Sequence, residues 1–212
     1  MSAPTRAIGL AVWIPLALIV ALAAVLRALA AAAIEYPSVD GVNYMTITRH
    51  LLRDATLHFS TFPPGWPVVI AAFVPFFGGA DPIDLLRAAQ TANVVLGTAV
   101  VVLTFLLVRA RGGDLAALLS AAFVALLPDM IVLSSLDLSE MSYVVVLVGG
   151  WIAWRRGIGW GAAVAFGFAY LIRPEALIVA LGLIAVGAWH QRRLDWRMAV
   201  GLGIFVVPYV LY

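Results

Sequence analysis

The chain contains no cysteine and no lysine. Without thiols there is no disulfide framework, cysteine metal site or thiol nucleophile, and without lysine there is no Schiff-base chemistry. Charge is scarce: only 11% of the 212 residues are charged, and the net charge of +2 is too small to suggest a nucleic-acid partner. The sequence has no Gly-rich phosphate loop, no HExxH pair and no GxSxG elbow, so the common soluble nucleotide and hydrolase chemistries have no support.

Apolar residues are what the chain does have. They make up 64% of it, and mean hydropathy is +1.06. A soluble chain is about half apolar and about a quarter charged. One aqueous core cannot absorb this much apolar surface, so lipid must be the solvent for much of it. The expected class is all-α: a polytopic membrane protein forming one domain over residues 1–212, with no repeat or flexible linker.

The apolar runs predict seven transmembrane helices. They cover Leu10 to Ile34, Leu85 to Val108, Leu115 to Leu127, Met141 to Trp154, Ile158 to Ile172, Ala176 to Trp189, and Met198 onward. The first run is longer than the apolar part of a signal peptide and contains Arg27, so it is read as a retained span. Arg27 itself is expected to snorkel outward or to pair with an outer-loop acid. Trp66 to Phe77 is too short to cross and carries Pro67 and Pro75, which suits a re-entrant or interfacial helix.

With that piece not crossing, Arg109, Arg111, Arg155, Arg156, Arg192, Arg193 and Arg197 fall on the side of Arg6. Glu35, Asp40, Asp54, Asp81, Asp84, Asp129, Asp137, Glu140 and Glu175 collect opposite. The positive-inside rule then places the amino terminus in the cytoplasm. The tryptophans are expected mostly at the interfaces. The largest outer loop is 35–64. Within it, 40–53 reads as an amphipathic surface helix with Asp40 at its cap and Tyr44, Ile47 and Leu51 as its apolar stripe.

The residues able to do chemistry lie mainly on that outer face. Asp40 can accept a proton from an incoming hydroxyl, or it can simply cap a helix. Arg173, at the tip of a short hairpin, suits a lipid phosphate, or else an ion pair with Glu175. Asp137 and Glu140 share a face if the fourth span begins at Asp137, and could bind a divalent metal or steer a sugar. The alternative is that they only favour a helix amino end. Arg87 is expected to pair with Asp81 or Asp84. His50 and His58 lack a third ligand at zinc spacing.

The order of these features resembles a known family. A span with a late arginine leads to Val39-Asp40-Gly41-Val42-Asn43-Tyr44 and a surface helix. Phe62-Pro63-Pro64-Gly65-Trp66-Pro67 then opens a short apolar helix closing at Phe77-Gly78, and Leu86-Arg87-Ala88 opens a long span. Leu138-Ser139-Glu140-Met141 and Leu171-Ile172-Arg173-Pro174-Glu175-Ala176 follow. Over essentially the whole chain this looks like the conserved module of the GT-C glycosyltransferases, which include protein O-mannosyltransferases and aminoarabinose transferases.

The resemblance implies transfer of a sugar from a polyprenyl-phosphate or polyprenyl-pyrophosphate donor to an acceptor on the extracytoplasmic face. It would make Asp40 the acid that activates the acceptor and Arg173 the donor-phosphate contact. Asp137, Glu140, Tyr44 and Glu175 would be the other substrate-binding residues, and the prenyl tail would lie among the spans. The chain departs from the family pattern at Gly41, where many relatives carry a second acid, and at Phe62, where some carry lysine. It also stops at Tyr212, where relatives continue. The alternative expectation is therefore a non-catalytic lipid-binding or scaffold subunit that works with a partner membrane protein.

Overall fold

The computed structural model describes residues 10–56, 62–191 and 196–211, which form helices and turns with no strand among them. Arg6, His58, Arg192 and Arg193 lie outside the described residues. The helices are α1 (Leu10–Ala32), α2 (Val39–Asp54), α3 (Gly65–Phe73), α4 (Pro82–Leu126), α5 (Pro128–Leu133), α6 (Glu140–Arg155), α7 (Gly159–Ile172), α8 (Ala176–Gln191) and α9 (Trp196–Leu211). The all-α expectation holds. Two of them, Ala11–Ala32 and Pro82–Leu126, are long and apolar enough to cross a membrane, while α7, α8 and α9 are apolar but shorter.

The two apolar runs before and after Arg109 occupy one element, α4, broken at Gly113. Its φ of 78° is a left-handed conformation that glycine adopts without steric cost. The chain turns back there, since Gly97 on the first limb and Ala125 on the second both approach the Arg27 side chain. Helix α1 packs against both limbs, with Leu16, Ala23, Val101, Phe105, Ala117, Ala121 and Ala125 forming the seam. Alanines at four-residue spacing on the second limb allow this close approach, because small side chains let helix backbones come near one another.

Helices α6, α7, α8 and α9 form the other half of the bundle, joined by tight turns at Gly157 and at Arg173-Pro174-Glu175. Ala162, Phe166, Ala180, Leu183, Met198 and Leu202 fill its centre. At the opposite end from this second turn, Trp160 and Trp196 meet edge to face at 5.5 Å and Trp151 lies 5.6 Å from Trp154. That end also carries Arg109, paired with Asp114 at 2.6 Å.

Several expectations are corrected by the packing. Arg27 neither snorkels nor meets an acid: it is fully buried. Its guanidinium donates to the carbonyls of Ala23, Val124 and Ala125 at 3.1–3.2 Å, and to Ser134 Oγ at 3.2 Å. Val124 and Ala125 lie in the last turn of α4, where carbonyls have no intrahelical partner and the dipole is negative. The arginine is thus a cap for another helix. Arg87 likewise bonds Gln90 Oε1 at 2.9 Å rather than an acid, and Gln90 reaches the Ile34 carbonyl where α1 ends. Trp66 is not an interfacial anchor, since it is fully buried in the cluster of Ile70, Leu85, Leu86 and Ile172.

Candidate functional site

Five of the residues singled out in the sequence converge at one end of the bundle, where α2 and α3 cover the ends of α4, α6 and α7. Helix α2 starts one residue earlier than its periodicity suggested. Ser38, not Asp40, is its cap, and Ser38 Oγ accepts the Gly41 N–H at 3.0 Å. Asp40 is left in the first turn, exposed, its carboxylate without a hydrogen bond or ion pair to any described residue. One turn on, Tyr44 is buried with Met45, Ile47 and Thr48, so the apolar face of α2 is wider than the expected stripe and rests on α3.

The Tyr44 hydroxyl donates to Ser139 Oγ at 3.4 Å, and its ring meets that of Phe62 edge to face at 5.1 Å. Burial pushes the phenol above its ordinary pKa. The Ser139 bond and the Arg173 charge act against that, while Glu140 and Asp40 add to it. Tyr44 therefore remains a neutral hydrogen-bond donor at ordinary pH, and its hydroxyl lies within the electrostatic reach of Asp40, Glu140 and Arg173 together.

Arg173 ends α7 in extended conformation, its backbone N–H still bonded to the Ala169 carbonyl at 2.8 Å. That break in the helix turns the side chain toward α6. Nη1 donates to Glu140 Oε1 at 2.9 Å, Nε lies 3.9 Å from Glu175 Oε2, and the guanidinium sits 6.0 Å from the centre of the Tyr143 ring. Burial by itself lowers the pKa of Arg173. The hydrogen bond to Glu140 and the charges of Glu140 and Glu175 more than offset it, so the pKa is raised and the cation is secure. The other Glu140 oxygen, Oε2, is buried with no hydrogen-bond partner among the described residues.

Asp137 does not join this group. Helix α6 begins at Glu140, so Asp137 lies in the preceding loop and the two carboxylates do not share a helical face. Asp137 is 2% exposed, and both its oxygens accept the Ser38 N–H, at 3.2 and 3.1 Å. It clips the start of α2 to the loop before α6. A paired-carboxylate metal edge is therefore not formed, and no group of three metal-ligating side chains converges among the described residues.

Gly41 is required by the same clip. A Cβ there would overlap the Asp137 carboxylate, which explains why a side chain, acidic or otherwise, is not accommodated beside Asp40. Gly41→Ala should destabilise the protein by about 2 kcal/mol through overpacking, read as a lower melting temperature in detergent. A variant as stable as the parent would mean the clip is slack.

Sequence reasoning missed the residues that hold this loop. Asn93 Nδ2 donates at 2.7 Å to both the Leu136 and Leu138 carbonyls, and Trp66 Nε1 donates to the Asp137 carbonyl at 3.0 Å. The available signal was a pair of amides, Gln90 and Asn93, three apart within an apolar run. Polar groups in such a run stay only where they have partners. No family model matches the chain, and neither the curated proteins nor the solved structures provide a match.

Proposed function

We propose that the chain is a membrane glycosyltransferase of GT-C type, moving a sugar from a polyprenyl-phosphate-type donor to an acceptor at the extracytoplasmic face. The observation that carries this reading is the convergence of Asp40, Tyr44, Glu140, Arg173 and Glu175, drawn from three distant segments, at one end of an apolar bundle. In this reading α1, both limbs of α4, α6, α7, α8 and α9 cross the cytoplasmic membrane, with the amino terminus in the cytoplasm. The distribution of charge supports it: most of the acids lie at the site end, while Arg109, Arg155, Arg156 and Arg197 lie at the other, with Asp114 paired to Arg109 there. At 1.5 Å per residue, α6 and α7, of 16 and 14 residues, cover about 24 and 21 Å, so the hydrocarbon around them is thinned.

The chemistry follows from the residue types. Asp40 is an unencumbered carboxylate that takes the proton of the acceptor hydroxyl as it attacks the anomeric carbon. Arg173 neutralises the charge that grows on the departing phosphate, an interaction stronger in the transition state than before it. Tyr44 donates a hydrogen bond beside them. An apolar hollow of about 290 Å³ between α4, α6, α7 and α8, lined by Leu107, Leu147, Val148, Trp151, Phe166 and Val179, suits part of a prenyl chain.

The test is mass spectrometry of lipids that co-purify with the wild type and with Arg173→Ala. The expected result is enrichment of polyprenyl-phosphate species in the wild type and their loss in the variant. Bulk phospholipid alone in both samples would sink the donor site and leave the non-catalytic subunit, with a partner membrane protein, as the better reading.

A further inference from the structure

We propose that Glu140 is a resident competitor for the Arg173 guanidinium, displaced each time a lipid phosphate binds and returning when it leaves. This rests on the donor-site reading of Arg173. The resident pair is weakly made. Of the forked donors on Arg173, only Nη1 reaches Glu140 within hydrogen-bond distance, at 2.9 Å, and Glu175 stands off at 3.9 Å. A phosphate offers a second oxygen in the right plane and engages the fork at two points. Glu140 is equally under-bonded, because Oε2 is buried without a hydrogen-bond partner among the described residues. A carboxylate held this way forgoes half of its accepting capacity.

Access and release are both provided for. The Arg173 and Glu140 side chains keep 35% and 29% of their surface exposed, so an incoming anion can reach the pair. Partly exposed pairs of this kind contribute little, so exchange is not blocked by their own strength. Once displaced, Glu140 is not stranded. It is the first residue of α6, where unpaired N–H groups and the positive end of the helix dipole favour a carboxylate. The device lowers affinity for the phosphate and, by the same exchange, speeds departure of the phosphate-bearing product, because Glu140 recaptures Arg173 as the product leaves.

The experiment is binding of a short-chain prenyl monophosphate to the full chain in detergent, by calorimetry. It compares the wild type, Glu140→Gln, Arg173→Ala and the double variant. Glu140→Gln should bind about tenfold more tightly, since it removes the resident carboxylate with which the phosphate must compete for Arg173. Arg173→Ala should bind poorly, and adding Glu140→Gln to it should restore nothing. Equal or weaker binding by Glu140→Gln would overturn the exchange while leaving the donor site standing. So would tighter binding in the double variant, because the effect would then be bulk charge and not competition for Arg173. Undiminished binding by Arg173→Ala would instead overturn the donor site itself. Matching melting temperatures for wild type and Glu140→Gln establish that the comparison is between folded proteins.

Discussion

Replacing Asp40 by Asn is expected to slow sugar transfer from a polyprenyl-phosphate donor by about 10²–10⁴-fold, while binding of the donor phosphate is unchanged. The substitution keeps the size of the side chain but removes its charge and its ability to accept a proton. Asp40 is exposed in the first turn of α2 and bonds no described side chain, so the variant should fold and melt as the wild type does. Its effect should fall on turnover and not on donor affinity, because the proposed phosphate contact is Arg173, on another element. Transfer at the wild-type rate with Asn at this position would remove Asp40 from the chemistry and favour the scaffold reading.

The second large effect is on stability. Arg27→Leu should destabilise the protein by about 3 kcal/mol. The buried guanidinium satisfies the Ala23, Val124 and Ala125 carbonyls and Ser134 Oγ, and hydrogen bonds between membrane helices average about 0.6 kcal/mol with a maximum of about 1.7. Leucine fills the space but leaves the carbonyls at the end of α4 without donors. Burying an ion is often no gain, because both partners can be exchanged for apolar groups. Here the partners are main-chain carbonyls, which no substitution removes. The fit is tight as well: a Cβ on Gly97 would overlap Ser134 and come within 3.1 Å of Arg27 Nε. Unfolding in mixed micelles measures the loss. A change below about 0.5 kcal/mol would place Arg27 among surface-like substitutions and refute its role as a cap.

Much of the architecture was legible because hydropathy and punctuation are local properties. Gly113, Gly157 and Arg173-Pro174 interrupt apolar runs and are where the chain turns. The two apolar runs around Arg109 form the two limbs of α4, which part at Gly113. The short proline-bearing piece near Trp66 is a helix of nine residues followed by a 3₁₀ turn.

The site was only partly legible. Glu140 and Arg173 could be picked out because charged groups are rare here and each stands at the end of an apolar run, while Tyr44 is legible only in the apolar stripe of α2 and through its place beside Asp40 in the family resemblance. The role of Asp137 could not. Its spacing from Glu140 suggested a shared face, which required a helix starting three residues too early. The backbone bends through 136–139 instead of continuing the helix, and Asp137 turns to the Ser38 amide.

The sequence by itself determined the helical class and where the chain turns, because these follow from composition, period and punctuation alone. The tertiary structure decided which polar group meets which. Arg27 caps a helix about a hundred residues away, Asp137 clips the start of α2, and Glu140 holds Arg173. Each of those pairings depends on how helices pack across long sequence separations, where a polar side chain takes whichever unsatisfied partner the packing brings within reach.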